Sequence, residues 1–328
     1  MTRVSCARYA GRDWRNRMGI HKISTVGMSH DEWLEHRRRS VGGSDAAAII
    51  GLNGWASPYS VWAEKTGRLP PKEDTEAMRQ GRDLEAYVAS RWEEASGKHV
   101  RRCNAILTNS AYPFAHANID RDVVGENAGL ECKTTSILRL REFKGGEYPA
   151  AYYAQCVHYM AVTGAERWYL GVLVLNQGFY CFVIERDQAE IDALMAAEAA
   201  FWHYVQEDTP PPVDGSEATS DALETIYAEG RGGTVDLFGL DGEMKALLET
   251  KREMKSLKER IALHENAIKE RLGDAEEGRC GGFRAAWKNQ TRRTFDARRF
   301  SQEHPELDLD GYYNTSTFRT FTVKEQEQ

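Results

Sequence analysis

Apolar side chains recur with two different periods along the chain, and the change of period separates predicted helices from predicted strands. Residues 75–97 place apolar side chains roughly on one side at helical spacing, which predicts a long amphipathic helix. Residues 98–136 carry short β-branched or alternating runs separated by turn residues, which is typical of consecutive antiparallel strands. The patterning therefore predicts helices followed by a sheet.

Further helices and a hairpin complete the predicted core. Ser29, followed by Glu32 three residues later, forms a capping-box pattern, so a helix is expected to begin there. The other predicted elements are a short helix in 42–52, a helix in 57–67, a helix between Pro149 and Gly164, a hairpin in 167–186 and a closing helix in 187–207. Together these elements predict one α/β (α+β) core over residues 28–208.

The flanks of this core differ from it in composition. Residues 1–27 lack periodicity, which predicts a flexible arm, and residues 209–234 open with a Pro/Ser/Gly-rich stretch typical of a linker. Within 235–328, apolar residues at every seventh position predict a helix of about 30 residues with a coiled-coil seam, followed by a small basic module. The seam residues are Leu240, Leu247, Met254, Ile261 and Ile268. Lys258 and His264 interrupt its second row, so packing within the chain fits the pattern as well as dimerisation does.

The bulk composition excludes several classes of protein. The chain has 328 residues, 41% hydrophobic and 28% charged, which is enough apolar material for a large core. No apolar run approaches the ~18 residues of a transmembrane helix, and residues 1–22 lack the apolar segment of a signal peptide, so a cytoplasmic protein is expected. The six cysteines show no CxxC spacing, which argues against a disulfide framework, a zinc site or a four-cysteine iron–sulfur cluster.

Charge is unevenly distributed around a net value of −7. Residues 1–40 hold nine Lys/Arg against four Asp/Glu, and residues 281–300 hold six Lys/Arg against one Asp. The second segment also contains aromatic residues, namely Phe283, Trp287, Phe295 and Phe300. Basic groups pair with phosphates and rings stack on bases, so this segment is either a nucleic-acid surface or an ordinary basic surface over a small aromatic core.

The candidate chemistry lies in the strand-like stretch GLECKTTS, residues 129–136. A strand alternates its faces, so Glu131 and Lys133 project together while Cys132 points the other way. The Glu-x-Lys pattern alone is unspecific, because it occurs five times and three copies lie in the predicted coiled coil. The first copy differs because it stands in an apolar strand context, eleven residues after Asp120.

Two adjacent antiparallel strands would bring Asp120 and Glu131 onto one face. Close carboxylates repel each other unless a divalent cation neutralises them, and oxygen ligands favour Mg²⁺ or Mn²⁺ over zinc. Lys133 would project toward the same place, where it can hold and deprotonate a water or offset charge on a phosphate. This combination is suited to phosphodiester hydrolysis.

Further residues fit the same pocket. Glu85, on the predicted helix before the strands, would add a third carboxylate. Gln155 and Tyr159 stand four apart on a predicted helix and therefore share a face, from which they would orient the lysine, the water or a phosphate. We interpret His116 and His158 as hydrogen-bonded supporting or core residues rather than as catalytic groups.

The ordered set Gly81-x-x-Leu84-Glu85, Asp120, Leu130-Glu131-x-Lys133 and Gln155-x-x-x-Tyr159 resembles the PD-(D/E)XK nuclease superfamily in its RecB-type arrangement. Residues 42–67 and 152–170 also resemble the YqaJ-type viral recombinase nucleases, relatives of lambda exonuclease. The resemblance covers about residues 30–205. It implies a restriction-endonuclease-like core, with a central mixed sheet flanked by helices and a C-terminal helical extension.

The resemblance also implies a metal site. Asp120 and Glu131 would bind the catalytic Mg²⁺ (or Mn²⁺), with the backbone carbonyl of Cys132 as a further ligand. Glu85 would stand near the second of two ions, and Lys133 would be the catalytic lysine.

A second implied site would recognise the DNA end. Gln155 would position a water or a phosphate, and Ser44 with Arg37 would bind the 5′-phosphate, next to Tyr159. A helix N-terminus at Ser44 suits an anion for electrostatic reasons as well.

Three functions are consistent with these residues. The first is a metal-dependent 5′→3′ exonuclease that degrades one strand of linear double-stranded DNA and leaves 3′ single strands for a strand-annealing recombinase. For this function the resemblance implies a ring-shaped trimer in the bacterial cytoplasm, encoded by a phage or prophage. The second is an endonuclease or nickase on the same core, and the third is a non-catalytic DNA-end-binding scaffold for a recombinase.

Overall fold

Two mixed sheets and the helices around them form the first of two compact units, and the boundary between the units follows Tyr227. The computed structural model describes residues 19–70, 73–307 and 310–324. The helices of the first unit are α1 (His30–Arg38), α2 (Gly43–Ile49), α3 (Pro58–Lys65), α4 (Glu76–Ser96), α5 (Ala150–Thr163), α6 (Gln188–Gln206) and α7 (Glu217–Ile226). Its strands are β1 (Ile20–Ser24), β2 (Val41–Gly42), β3 (Val100–Arg102), β4 (Ala105–Asn109), β5 (Tyr112–Ala117), β6 (Arg121–Val123), β7 (Ala128–Thr135), β8 (Arg167–Val174) and β9 (Gly178–Glu185). A 3₁₀ helix covers Ile137–Gly146.

The larger sheet has five strands in the order β3-β6-β7-β8-β9. Strands β7 and β8 run parallel, connected through α5, and the other neighbours are antiparallel. The second sheet has the order β1-β4-β5-β2, in which only the short strand β2 is parallel to its neighbour β5. Both sheets are mixed, as expected of the core.

Helices cover both faces of the five-stranded sheet. On one face, Trp92 of α4 packs with Leu130, and its ring lies 4.9 Å from that of Tyr169. On the other face, Trp168 and Leu170 of β8 join the core that α5 contributes. Burying a large apolar side chain contributes about 1.5–3 kcal/mol, so these faces hold the strands of the candidate site in register.

The local signals of the sequence place the helix ends correctly. Ser29 and Glu32 form the expected capping box at the start of α1, and Asp187 caps α6. Helix α5 begins after Pro149 and ends at Gly164, which has φ 67°, a conformation that glycine adopts without strain.

The segment 98–109 differs from the expectation of one continuous strand. It forms β3 and β4, which belong to different sheets. Strand β4 pairs instead with β1, at Ile20 opposite Asn109, so this part of the predicted N-terminal arm is a sheet strand. The expectation for residues 1–18 lies outside the described residues. Periodicity predicts a strand but not its partner, and the partner decides the sheet.

Part of the predicted linker is also structured. Helix α7 lies within residues 209–234 and is capped by Ser216. It buries Ala222 in a hydrophobic cluster with α3, and its buried Thr219 donates a hydrogen bond to Ser57. The compact unit therefore extends to Tyr227 rather than ending at residue 208. Helix α7 has few apolar residues, so its sequence shows only a weak helical pattern. The proline-rich stretch before it therefore led to the prediction of a linker.

The second unit contains α8 (Asp241–Leu272), β10 (Glu277–Cys280), β11 (Phe283–Ala286), α9 (Ala297–Glu303) and a 3₁₀ turn at Asp310–Tyr312. The predicted long helix is present, and it buries none of its residues against the described chain. Its coiled-coil seam stays a prediction. Across the described residues, no helix combines the length and apolar character needed to cross a bilayer, and every cysteine is a free thiol.

Candidate active site

Strand β7 presents Glu131 and Lys133 on the face that α5 covers, whereas Cys132 packs with the cluster on the α4 face. Glu131 is buried, and its Oε1 lies 2.7 Å from the Lys133 ammonium nitrogen. The alternation predicted for this strand therefore places the acid and the base side by side.

Gln155 of α5 connects the two side chains of β7. Its Nε2 donates to Glu131 Oε1 at 2.7 Å, and its Oε1 accepts from Lys133 Nζ at 2.8 Å. The same Nε2 donates to the hydroxyl of Tyr159 at 2.9 Å. Two chain segments that are distant in sequence thus form one hydrogen-bonded group of an acid, a lysine and an amide.

Asp120 stands directly before β6, where Arg121 pairs with Leu130 of β7, so it reaches the Glu131 end of the site. Its Oδ2 accepts from the backbone amide of Cys132 at 2.7 Å. Burial together with the charges of Glu131 and Glu85 raises the pKa of Asp120 well above its usual range. Three acidic groups therefore repel one another around Asp120.

Glu85 of α4 is held by a residue that sequence reasoning missed. The guanidinium of Arg121 forms an ion pair with Glu85 and also donates to the carbonyl of Asp120 at 2.7 Å. Arg121 is buried, so it neutralises Glu85 inside the site. Its position next to Asp120 was the available signal, but a basic residue in a short strand usually points to solvent.

The carboxylates fit a divalent cation by their chemistry. Glu131 Oε2 is buried and finds no hydrogen-bond partner in the described part of the chain, and such an oxygen is costly unless a cation or water binds it. Among the described residues, no three His, Cys, Asp or Glu side chains form a complete metal site, and Glu85 is paired with Arg121. Asp120 and Glu131, with the nearby Cys132 backbone, are the donors that would hold an ion.

Lys133 is a cation in this arrangement. Burial acts to lower the pKa of its ammonium group, but the charge and hydrogen bond of Glu131 outweigh burial and raise that pKa. The Nζ atom also lies 5.2 Å from the ring centroid of Tyr152, a distance at which a cation is attracted to the ring face.

A second group of predicted residues lies at the junction of α1 and α2. The guanidinium of Arg37 donates to the exposed hydroxyl of Ser44 at 2.7 Å and lies 4.6 Å from the ring of Trp33. Behind them, buried Lys65 pairs with Asp45 at 2.7 Å and donates to the carbonyl of Arg37 at 2.8 Å. Arg37 and Ser44 are thus fixed with their polar groups together.

The two groups meet at Gly43, the first residue of α2. A Cβ atom built on Gly43 would lie 2.5 Å from the ring of Tyr159, so only glycine permits this close approach. Because Tyr159 is bonded to Gln155, the turn that carries Ser44 rests on the helix that serves Glu131 and Lys133. All nine predicted site residues, counting the backbone of Cys132, therefore belong to one contiguous region.

A cleft of about 370 Å³ runs beside the carboxylates. Asp120 and Glu85 line one part, and Trp33 lines another, next to Arg37. Arg82 and Arg102 add positive charge to the walls. A groove with carboxylates and guanidinium groups suits an anionic chain that approaches a bound cation.

His116 and His158 are buried, and in the described part of the chain their ring nitrogens contact Ser40, Glu198 and the His116 carbonyl rather than the carboxylates of Asp120, Glu131 or Glu85. Both histidines are thus buried and hydrogen-bonded as expected, and the absence of a catalytic role stays a prediction.

Comparison with known proteins agrees with this architecture. Residues 32–166 match the family described as the YqaJ-like viral recombinase domain. The chain is 39% identical to the protein YqaJ of Bacillus subtilis (strain 168) over 304 residues. The aligned region covers 91% of this chain and 95% of that protein. The chain belongs to the YqaJ family. The expected family is thereby confirmed, and the structure shows the mixed α/β core that was expected. The assignment to the PD-(D/E)XK superfamily stays a prediction.

Solved structures show a weaker similarity to this YqaJ-family chain. An alkaline exonuclease from Laribacter hongkongensis is 21% identical with a TM-score of 0.47, and the match covers 54% of this chain and 93% of that one. A phage-related exonuclease from Haemophilus somnus 129PT is 14% identical with a TM-score of 0.40, covering 52% and 96%. Because both TM-scores lie below 0.5, the family assignment rests on the sequence relative.

Proposed function

We propose that this chain is a metal-dependent 5′→3′ exonuclease. It degrades one strand of linear double-stranded DNA from 5′-phosphorylated ends and leaves 3′ single strands for recombination by strand annealing. The observation that supports this most strongly is the contact set of Glu131, Lys133 and Gln155 beside Asp120. Membership of a family described by a viral recombinase domain supports the role in recombination.

The proposed chemistry assigns a task to each side chain. Asp120 and Glu131 would hold Mg²⁺, or Mn²⁺ in its place, and Glu85 would serve a second ion once it leaves Arg121. Bound metal ions polarise a scissile phosphate and lower the pKa of an attacking water. Lys133 offsets the charge that develops on the phosphate, and Gln155 keeps the ammonium group in place.

The proposed end recognition uses the second group of residues. The Arg37 guanidinium and the Ser44 hydroxyl together provide donors for the three oxygens of a terminal phosphate. Ser44 is the second residue of α2, and the N-terminal end of a helix favours an anion. A 5′-hydroxyl end lacks the negatively charged phosphate oxygens that would accept these hydrogen bonds, so it would bind less tightly.

Family membership is the support for the remaining parts of the proposal. These are a ring-shaped trimer around DNA, a single-strand-annealing recombinase as partner, and a phage or prophage protein acting in the bacterial cytoplasm. A ring would let an acidic protein hold DNA, because basic groups can line the channel while the outside stays negative.

The test uses linear duplex with a 5′-phosphate or a 5′-hydroxyl, beside a closed circle, each with Mg²⁺ or with EDTA. Lys133→Ala is the inactive variant, and Lys245→Ala is the control, since Lys245 belongs to another Glu-x-Lys pair. We expect loss of the 5′-phosphorylated linear strand only, abolished by EDTA and by Lys133→Ala. Cleavage of the circle would instead establish an endonuclease, and end binding without cleavage would establish a scaffold.

A further inference from the structure

Beneath the α1–α2 junction lies a buried ion pair that the proposed chemistry does not use. His158 of α5 and Glu198 of α6 are both fully buried, and His158 Nδ1 lies 2.8 Å from Glu198 Oε1. The other ring nitrogen of His158, Nε2, lies 2.8 Å from the carbonyl oxygen of His116. The Nε2 atom faces a carbonyl oxygen and therefore carries a proton. Burial acts to lower the pKa of His158, but the charge and hydrogen bond of Glu198 outweigh burial and raise that pKa, which favours an imidazolium paired with a carboxylate.

The network continues from the His116 backbone to its side chain. His116 Nδ1 lies 2.8 Å from the hydroxyl of Ser40, and the opposite edge of the ring packs on Gly42. A Cβ atom at Gly42 would lie 2.9 Å from His116 Nε2, so a glycine is needed there. The backbones of Gly42 and His116 are also paired in the parallel ladder of β2 and β5. His116 thus contacts Ser40 and Gly42, the residues on either side of Val41.

The segment that His116 holds is the one that carries both end-binding residues. Arg37 lies three residues before Ser40, and Ser44 lies two residues after Gly42. On the opposite side, Lys65 contacts the Arg37 carbonyl and Asp45. Within the sheet itself, the short strand β2 is paired with β5 at two residues.

Stability alone is a weak explanation for a fully buried ion pair. Taking two charges out of water costs several kcal/mol per ion, and apolar residues of similar volume are often equally stable or more stable. A charged pair instead specifies one geometry, because both partners lose their hydrogen bonds if either element shifts. Here the specified geometry joins α5, α6 and β5 to Ser40.

We propose that Glu198, His158, His116 and Ser40 form a positioning network that sets the Arg37–Ser44 pair for the terminal phosphate. The inference rests on the proposed exonuclease function and adds residues that do not touch the substrate. Losing the Ser40–His116 hydrogen bond lets the junction shift, which weakens binding of the phosphorylated end. The carboxylates and Lys133 are held by other contacts, so the rate of the chemical step is retained.

The experiment measures kcat and KM with Mg²⁺ on linear duplexes that differ only in a 5′-phosphate or 5′-hydroxyl. The variants of the full-length protein are Ser40→Ala, His116→Phe and His116→Asn. One hydrogen bond to a partly buried group corresponds to about tenfold in affinity. In Ser40→Ala and His116→Phe we expect KM for phosphorylated ends to rise about tenfold at unchanged kcat, with hydroxyl ends unaffected. His116→Asn keeps a polar atom near the Nδ1 position and should restore most of the preference.

Ser216→Ala is the matched control, because it removes a helix-capping serine of α7 outside the network. It should lower Tm without changing the phosphate preference. Ser40→Ala removes only a hydroxyl from a half-buried residue, so it decides the matter if His116→Phe does not fold. If Ser40→Ala and His116→Phe keep the preference for 5′-phosphorylated ends, this inference is overturned and the proposed exonuclease function stands. The same holds if both variants lose activity equally on phosphorylated and hydroxyl ends, in proportion to their loss of Tm. Resection by the unaltered protein without any end preference would overturn both this inference and the proposed end recognition.

Discussion

The side-chain amide of Gln155 donates to the buried carboxylate of Glu131 at 2.7 Å, across 24 residues of sequence. The same amide also accepts from Lys133. A single amide therefore fixes both the acid and the base of the candidate site, and its orientation decides where the lysine can reach.

Replacing Gln155 by alanine should reduce nuclease activity without unfolding the protein. Groups that orient metal ligands typically change metal affinity or activity by 10- to 100-fold, so we expect about that loss in kcat/KM. Gln188→Ala, on α6, removes an amide whose hydrogen bonds in the described part of the chain go to Arg186 and Asp192, and it should leave activity unchanged. Equal activity of both variants in a linear-duplex assay would show that Gln155 has no role in positioning.

Replacing Lys133 by methionine should abolish most cleavage while leaving metal binding measurable. Losing one charge-stabilising donor typically costs 10²–10³ in rate, so we expect a loss on the order of a thousandfold. Titration calorimetry with Mn²⁺ should still detect binding, because Asp120 and Glu131 remain. Cleavage at the normal rate would contradict the assignment of Lys133.

Replacing Arg121 by methionine should destabilise the metal-free protein by about 3 kcal/mol. Losing buried Arg121 leaves half-buried Glu85 uncompensated next to Asp120. Breaking a fully buried pair typically costs about 3–5 kcal/mol, and the partial exposure of Glu85 places the expected loss at the lower end. Added Mg²⁺ should raise Tm more in this variant than in the unaltered protein, because the cation replaces the lost charge.

Arg82→Met is the comparison, because Arg82 pairs with Asp74 on the surface, where an ion pair contributes only about 0–1 kcal/mol. Urea unfolding with and without Mg²⁺ measures both effects. A Mg²⁺ response in Arg121→Met no larger than in Arg82→Met would argue against a cation next to Glu85.

His116 should make the protein sensitive to mild acid. Burial lowers the pKa of His116 to about 3, and the positive charges of Lys65, Arg37 and His158 act in the same direction against the opposing charge of Asp45. The folded state therefore keeps the ring neutral, while the unfolded chain binds a proton below about pH 6.5. The stability linked to His116 is present above that pH and is lost as the pH falls toward 3.

The comparison with His116→Phe isolates this effect, since phenylalanine does not titrate. One proton changes the free energy of unfolding by about 1.4 kcal/mol per pH unit, so the difference between the two proteins should shift by about 2 kcal/mol from pH 7 to pH 5. Urea unfolding at both pH values measures it. A constant difference would mean that the ring is already protonated or is exposed in the folded protein.

Local signals explain why much of the fold was predictable. The Ser29–Glu32 capping box and the glycine at 164 are satisfied within a few residues of sequence, so no distant contact can overrule them. The pairing of Glu131 with Lys133 follows from the two-residue period of a strand, which holds in any sheet. Family resemblance added Arg37 and Ser44, which no local pattern singles out.

Contacts between distant segments explain what was missed. Residues 98–109 have the pattern of one strand, but β1 supplies a separate partner for the second half, so the chain changes sheets at Cys103. Helix α7 exists because α3 offers it an apolar surface. Glu198 of α6 is fully buried, and its partner His158 stands on a different helix, 40 residues earlier in the chain.

The sequence by itself determined the period of each element, most helix ends, and the shared face of Glu131 and Lys133, because these depend on neighbours within one or two turns. Only the tertiary structure decided which oxygen each cation meets. It turned Glu85 toward Arg121, placed Gln155 between acid and lysine, and set the Ser44 turn on Tyr159 through Gly43. Such contacts depend on how helices and sheets pack, and packing depends on the shape of the whole core rather than on any short stretch of chain.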